Sequence, residues 1–119
     1  MEVMAHPDER MLRITPTVDP PGLRLEGELD ATRHQDVIEA LSPLTAEGGD
    51  VRLDLAGLRF IDLGALRQLT CLAERCGNGV RIVLDNLSPQ MENLIATVSW
   101  ERLPGLVQGR NSQGRKDMA

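Results

Sequence analysis

Three aspartates and one serine lie between predicted strands and the helices that follow them: Asp30, Asp62, Asp85 and Ser88. Two carboxylates that meet in a pocket can act as general acid and general base. Aspartate and serine are also preferred N-cap residues of helices, which is a purely structural role. The two histidines complete no Ser-His-Asp nucleophile motif, and no acids, cysteines or histidines have a metal-ligand spacing. We therefore predict a protein that is not an enzyme and that needs neither metal nor cofactor.

The charged and aromatic residues argue against several other functions. Lys116 is the only lysine, whereas a P-loop and a Schiff-base site each need a lysine within the fold. The formal net charge is -5, and the chain has one Phe, one Trp and no Tyr. It therefore offers nucleic acid neither a basic surface nor stacking faces.

The hydrophobic residues give no sign of a membrane or export segment. No apolar run approaches the roughly 20 residues needed to cross a bilayer, and the opening segment MEVMAHPDER lacks an apolar stretch. We predict a cytoplasmic protein without membrane insertion. Cys71 and Cys76 have neither a CxxC nor a zinc spacing, so we expect two reduced and mostly buried thiols.

The hydrophobic pattern alternates between periods of two and about 3.6 residues, which is typical of strands interleaved with helices. Strands are predicted near residues 12–18, 23–26, 51–55, 80–84 and 103–107, and the first two form a hairpin. Apolar and polar residues alternate along the strands, with Val83 as an exception, so helices should cover only one face of the sheet. The predicted fold is α/β, a mixed sheet in the order β-β-α-β-α-β-α-β, with the later strands parallel.

Three helices are predicted to form that cover. The first follows Asp30 as its N-cap and should bend or restart at Pro43. The second follows Asp62 and stops at Gly77-Asn78-Gly79, and the third starts at Ser88-Pro89. Since parallel strands end on one edge, the three helix starts should share one rim, where open α/β sheets bind ligands.

The length of 119 residues suits one domain, which we place at residues 12–107. Residues 1–11 and 108–119 are polar without a hydrophobic period, and we predict disordered tails there. The uncovered sheet face would interleave arginines with Glu26 and Asp54, a mixture more typical of solvent than of an obligate interface. We therefore predict a monomer or a weak dimer.

Three segments carry a more specific signal: Gly27-Glu28-Leu29-Asp30, then residues 53–62 (LDLAGLRFID), then Asn86-Leu87-Ser88-Pro89. In order and spacing they resemble the STAS domain, the family of anti-sigma factor antagonists and sulphate-transporter tails. The resemblance covers roughly residues 12–107. It implies a small mixed sheet with helices on one side, in agreement with the periodicity, and a binding function toward an anti-sigma factor, often a serine kinase.

Antagonists of this family carry an Asp-Ser-Ser/Thr-Gly run whose first serine is phosphorylated to abolish binding. The corresponding run is Asp62-Leu63-Gly64-Ala65, so Leu63 stands at the serine position and neither Leu63 nor Gly64 can accept phosphate. Our hypothesis is a bacterial regulator of transcription that binds an anti-sigma factor or sensor kinase without phosphorylation control at this position. The candidate partner-binding residues are Asp30, Asp62, Leu63, Gly64, Ala65, Arg67 and Ser88.

Other interpretations stay open at this point. Leu63 is either an exposed anchor for a partner or a side chain packed under a neighbouring loop. One alternative function is a STAS-like accessory subunit that braces the ATPase of an ABC lipid-transport complex, where no phosphorylation is needed. Another is weak nucleotide binding or hydrolysis at the rim, because helix N-termini suit phosphates. The acids at the rim and the absence of a lysine there oppose this alternative.

Overall fold

A computed structural model describes residues 12–18, 21–30, 32–46, 48–77 and 79–110. Strands and helices alternate in the predicted order, which confirms the α/β fold with a mixed sheet. They are β1 (Arg13–Val18), β2 (Pro21–Leu29), α1 (His34–Thr45), β3 (Asp50–Ile61), α2 (Leu63–Cys76), β4 (Arg81–Asp85), α3 (Pro89–Val98), a 3-10 turn (Trp100–Arg102) and β5 (Leu106–Gln108). The predicted tail at residues 1–11 lies outside the described residues.

The sheet has the strand order β1-β2-β3-β4-β5. β1 pairs with β2 in antiparallel fashion, as the predicted hairpin requires, and the other three pairings are parallel. Within the hairpin turn, Asp19 and Pro20 lie outside the described residues. The carboxyl ends of β2 to β5 therefore share one edge of the sheet, which we call the rim.

β3 is much longer than the predicted strand and reaches beyond its neighbour β4. It pairs with β2 as far as Ile61, with shifts of register between Arg24 and Glu26 and between Gly27 and Glu28. Its pairing with β4 ends at Asp54. Residues 55–61 of β3 thus overhang the end of β4.

The core lies between the helices and one face of the sheet. The strands supply alternate apolar side chains, and the helices close over them with their own apolar stripes. The largest fully buried side chains are aliphatic: Leu25, Leu29, Leu41, Leu53, Leu55, Leu66, Leu69, Ile82, Leu84, Ile95, Leu103 and Val37. Trp100 is partly buried against this core and Phe60 is 46% exposed, so the core depends on aliphatic packing, as expected from the composition.

The start of α1 differs from the prediction. The N-cap is Arg33, which makes no capping hydrogen bond with its side chain. Asp30 instead closes a local turn, because its Oδ1 accepts hydrogen bonds from the backbone N–H (2.9 Å) and hydroxyl (2.6 Å) of Thr32. The prediction of Asp30 as N-cap is therefore wrong, since a nearer side-chain turn competes for the same carboxylate.

α1 also continues through Pro43 to Thr45. Pro43 lies in the last turn, where the lost N–H removes a single hydrogen bond close to the end of the helix. The neighbouring Ser42 hydroxyl donates to the carbonyl of Ile38 (2.9 Å), and the Thr45 hydroxyl donates to that of Ser42 (3.0 Å). The predicted restart at Pro43 does not occur.

The caps predicted for α2 and α3 are confirmed. Asp62 Oδ1 accepts the N–H of Ala65 at 2.8 Å, and Ser88 Oγ accepts that of Met91 at 3.2 Å. α2 ends at Gly77, whose φ of 68° is a left-handed conformation that glycine adopts without steric cost. Both helices therefore start at the rim, α2 directly after its cap Asp62 and α3 after a short connection from β4.

Backbone hydrogen bonds continue beyond the end of β5. Gly109 donates its N–H to the carbonyl of Leu84 (2.8 Å), and Asn86 donates to the carbonyl of Arg110 (2.7 Å). Gln108, which the sequence assigns to the tail, thus lies in β5, and Gly109 and Arg110 follow it along the end of β4. Residues 111–119 lie outside the described part of the chain. Among the described residues, no helix has the length and apolar character to span a bilayer.

Candidate partner-binding site

The ends of β2 and β3 are joined at the rim. The N–H of Asp62 donates to the carbonyl of Leu29 at 3.2 Å, and Leu29 and Ile61 are partners in the parallel register. This brings Asp30, which follows Leu29, to the same part of the rim as the start of α2. The structure therefore brings together the two predicted site segments around Asp30 and Asp62.

The residues of the first turn of α2 differ in their exposure to solvent. Gly64 is exposed and Leu63 is half-buried, and Leu63 lies outside the main hydrophobic cluster. Ala65 is fully buried with a relative exposure of 0%, and its N–H is held by the cap Asp62. The assignment of Ala65 as a contact residue is therefore wrong, because its side chain faces the core.

An exposed stripe continues from this turn along α2. Gly64, Arg67, Gln68 and Cys71 are all exposed, and their spacing of i, i+3, i+4 and i+7 puts them on one side of a helix. Sequence reasoning named Gly64 and Arg67 and missed the other two, although the same spacing predicts them. Both cysteines are free, but Cys71 is exposed and Cys76 only half-buried, so the expectation of mostly buried thiols is wrong for Cys71.

Ser88 lies at the start of α3, and the first turns of this helix border a groove. One side of the groove is formed by residues 59–61 at the overhanging end of β3, and the other by Gln90, Met91 and Leu94. Its volume is about 300 Å³. This groove was not predicted from the sequence, because it depends on where β4 ends relative to β3.

The third predicted rim acid, Asp85, points away from the helices. Its carboxylate pairs with Arg52 through Nε to Oδ2 and Nη2 to Oδ1, both at 2.8 Å. Both residues lie on the helix-free face, because the alternate residues Ile82, Leu84 and Leu53 face the core. Asp85 thus makes no acid pair with Asp62, and the described ranges hold no group of three or more potential metal ligands.

A second charged group on the helix-free face surrounds Asp54. Its Oδ1 accepts hydrogen bonds from Asn86 Nδ2 (2.9 Å) and the Ala56 N–H (3.0 Å), and Arg24 lies 3.6 Å from Oδ2. Burial alone would raise the pKa of Asp54, but these hydrogen bonds and the arginine outweigh it and lower the pKa. At the rim, the hydroxyl and N–H of Thr32 likewise lower the pKa of Asp30. Both groups are therefore carboxylates at neutral pH.

The fold and the rim define a class: a small α/β domain with a mixed five-stranded sheet and two helix starts at one edge of it. The family model described as "Mlab, STAS domain" matches residues 12–108. The chain therefore belongs to the STAS domain family. Domains of this family are generally regulatory, non-catalytic binding modules that act through protein–protein interactions.

Two solved structures have the same fold. A putative anti-sigma factor antagonist from Thermotoga maritima matches with a TM-score of 0.58 and 14% identity, over 85% of this chain and 89% of its own. The murine anion transporter solute carrier 26 family member A9, in its inward-facing state, matches with a TM-score of 0.57 and 18% identity over 75% of this chain. The match covers only 16% of the transporter. No curated protein matches the sequence significantly.

Proposed function

We propose that this STAS domain is a regulatory module that binds an anti-sigma factor or a sensor kinase through the rim at Asp62-Leu63-Gly64. The observation that carries the proposal is the exposed start of α2, where Gly64 begins a stripe with Arg67 and Gln68. By the resemblance of the sequence, this turn corresponds to the run that carries the phosphorylated serine in anti-sigma factor antagonists. Here the turn offers a binding surface without a hydroxyl at residues 63–65.

The local chemistry supports docking without phosphorylation. Gly64 lets a partner's backbone approach the helix start closely, because it has no side chain. Arg67 and Gln68 supply hydrogen-bond donors one turn further along, and the half-buried Leu63 adds apolar area beside them. Asp30 and Asp62 border this surface, whereas Ser88 caps α3 beside the groove and Ala65 is excluded by its burial.

The same geometry argues against phosphate chemistry at the rim. The helix N-terminus that would attract a phosphate is already capped by the Asp62 carboxylate. Asp85, one of the two acids considered as a partner of Asp62, is bound to Arg52 on the opposite face of the sheet. We therefore propose a non-catalytic role and do not propose nucleotide binding or hydrolysis.

The proposal is tested by finding the partner and then weakening its contact. Affinity purification from the native host followed by mass spectrometry identifies candidates, and the purified partner is titrated against variants of the full chain. We expect Leu63→Asp and Gly64→Arg each to weaken binding by about tenfold or more, as for residues at the centre of an interface. Val18→Asp is the control, since Val18 is 88% exposed at the end of the sheet opposite the rim. A folded Gly64→Arg variant with wild-type affinity would remove the rim from consideration.

A second candidate function is an accessory subunit of an ABC lipid-transport ATPase. It is favoured by the same absence of a hydroxyl at residues 63–65, because such a partnership needs no phosphorylation switch. The matched family model carries the name Mlab and does not mention sigma-factor control. The identity of the purified partner separates the two candidates, since one predicts a kinase or anti-sigma factor and the other a transport ATPase.

We also propose that the protein acts in the cytoplasm as a monomer or weak dimer. The helix-free face supports weak self-association, because two of its arginines are already paired with acids within the sheet: Arg52 with Asp85 and Arg81 with Asp50. Groups that are paired in this way have less to offer a second copy. Sedimentation of the purified chain should show a monomer at micromolar concentration, and a tight dimer would contradict this.

A further inference from the structure

The groove beside the rim arises from the overhang of β3. Because β4 stops pairing at Asp54, the last residues of β3 face the first turns of α3 across an open gap. Ile61 and Met91 are 5% and 3% exposed and form its buried floor, while Phe60 and Leu94 stand at its sides. The result is a concave apolar surface of about 300 Å³ that is open to solvent.

Phe60 is a large apolar side chain that is 46% exposed. Among the described residues, only Val18 and Phe60 are large hydrophobic side chains counted as exposed. Val18 lies at the end of the β1–β2 hairpin, whereas Phe60 lines a groove with an apolar floor. Aromatic side chains that border a concave pocket are typical anchors of protein interfaces. The volume lies at the low end of small-molecule pockets, about 300–1,000 Å³, and so suits one side chain better than a cofactor.

The charges around the groove indicate what else the occupant carries. Glu28 is the register partner of Phe60 on β2, and Asp62 follows the groove residues along the chain. Arg59 is the one basic residue of the lining. A surface with more acids than bases favours a partner segment with basic residues.

We infer that this groove receives one large apolar side chain of the partner protein, flanked by lysine or arginine. The inference rests on the proposed function, because it concerns the same partner and an adjoining surface. Residues 59–61 lead without interruption into Asp62-Leu63-Gly64, so one partner covers both the groove and the start of α2. The groove adds an apolar anchor to a rim that otherwise offers mainly polar contacts.

Displayed peptides test the groove even before the partner is identified. Random peptides on phage are selected on the full-length wild-type chain, and the consensus peptide is titrated against purified variants. We expect enrichment of peptides with one Leu, Phe or Trp beside Lys or Arg. Their affinity should fall about tenfold in Phe60→Ser, and remain unchanged in Val18→Ser.

A pair of substitutions at the exposed Gln90 separates charge from shape. Gln90→Arg should weaken binding of the basic peptide, whereas Gln90→Glu should leave it unchanged or strengthen it. Neither substitution touches the core, and thermal unfolding checks that the variants are folded. Selection of no peptide family, or a consensus peptide that binds Phe60→Ser as tightly as wild type, would overturn the inference.

The outcomes distinguish this inference from the proposed function. A native partner that loses affinity with Gly64→Arg but not with Phe60→Ser supports rim binding and overturns the groove inference. Peptides that need Phe60, together with a native partner indifferent to Gly64→Arg, support the groove and overturn the proposed function at Asp62-Leu63-Gly64.

Discussion

Arg52 and Asp85 lie side by side on the helix-free face and share two hydrogen bonds of 2.8 Å. Their side chains are 23% and 10% exposed. Asp85 Oδ1 also accepts the N–H of Arg110 at 2.8 Å, so one carboxylate joins β3, β4 and the segment after β5. Gly109 makes this possible, because a Cβ at that position would lie 2.0 Å from Asp85 Oδ1.

Asp85→Ala should lower the free energy of unfolding by about 2–4 kcal/mol, because it leaves the partly buried Arg52 and the Arg110 N–H without their acceptor. Urea denaturation measures this loss. Asp50→Ala is the matched control, since it removes the partner of Arg81 from a pair whose side chains are 58% and 40% exposed. We expect a much smaller loss there, because solvent screens an exposed pair, and equal losses in the two variants would contradict the argument.

Thr70→Val should raise the free energy of unfolding by about 1 kcal/mol, because it replaces a buried hydroxyl by a methyl group of similar shape. Thr70 is 7% exposed, and its Oγ1 is the one buried side-chain polar atom in the described residues that lacks a hydrogen-bond partner. Thr45→Val is the control, because the Thr45 hydroxyl donates to Ser42. Urea denaturation should show a gain for the first variant and a loss of similar size for the second.

Ser99→Gly should raise the melting temperature. Ser99 has φ 87° and ψ 132°, a conformation that costs a residue with a side chain about 1–3 kcal/mol and that glycine adopts readily. Its Oγ accepts a long hydrogen bond of 3.3 Å from the Glu101 N–H, so little is lost with the side chain. Ser99→Ala keeps the strain and loses the bond, and it should lower the melting temperature; stabilisation by both variants would contradict the strain argument.

Acid should destabilise the protein partly through Asp54, whose pKa is lowered in the folded state. Because the pKa is lowered in the folded state, the Asp54 carboxylate contributes its full stabilisation of the fold at pH values above its ordinary pKa of 3.8. It is lost as the pH falls from there through the folded pKa. Asp54→Asn should therefore flatten the pH dependence of unfolding free energy below about pH 4, as measured by urea denaturation at several pH values. Parallel wild-type and variant curves would show that Asp54 is not involved.

Leu63→Ser should create a phosphate acceptor at the start of α2. If the partner is a serine kinase, incubation with the partner and ATP should then yield a singly phosphorylated chain by mass spectrometry, while wild type stays unmodified. Phosphate adds nearly two negative charges beside Asp62, so the modified variant should bind the partner more weakly than the unmodified one. Phosphorylation of the wild-type chain at the rim would contradict the proposed absence of this switch.

Local chemistry made part of the site predictable. Asp62 and Ser88 cap their helices because N-capping depends on a few neighbouring residues. The prediction of Asp30 as the N-cap of α1 failed because Thr32, two residues on, binds the same carboxylate in a local turn. The sequence also indicated which face of the sheet Asp85 lies on. Asp85 is two residues after Val83, so both side chains face the helix-free side, although Val83 itself is apolar.

The groove could not be predicted in this way, because its parts are set by packing over long range. The register between β2 and β3 is shifted at two points, so a strict alternation along β3 does not predict which face of the sheet Phe60 lies on. The end of the β3–β4 pairing then decides which residues of β3 face α3. Periodicity predicts that these elements exist but does not predict how far one strand extends beyond the next.

The parallel course of β5 decides how this protein should be attached to a surface or a tag. The chain reaches Arg110 beside Asn86, at the rim, so a bulky group joined shortly after Arg110 would emerge next to the surface to be tested. Ala46 is exposed at the end of α1, on the opposite edge of the sheet where β3 begins. A single cysteine introduced by Ala46→Cys, with Cys71 and Cys76 replaced by serine, would orient every immobilised molecule with its rim toward the solution.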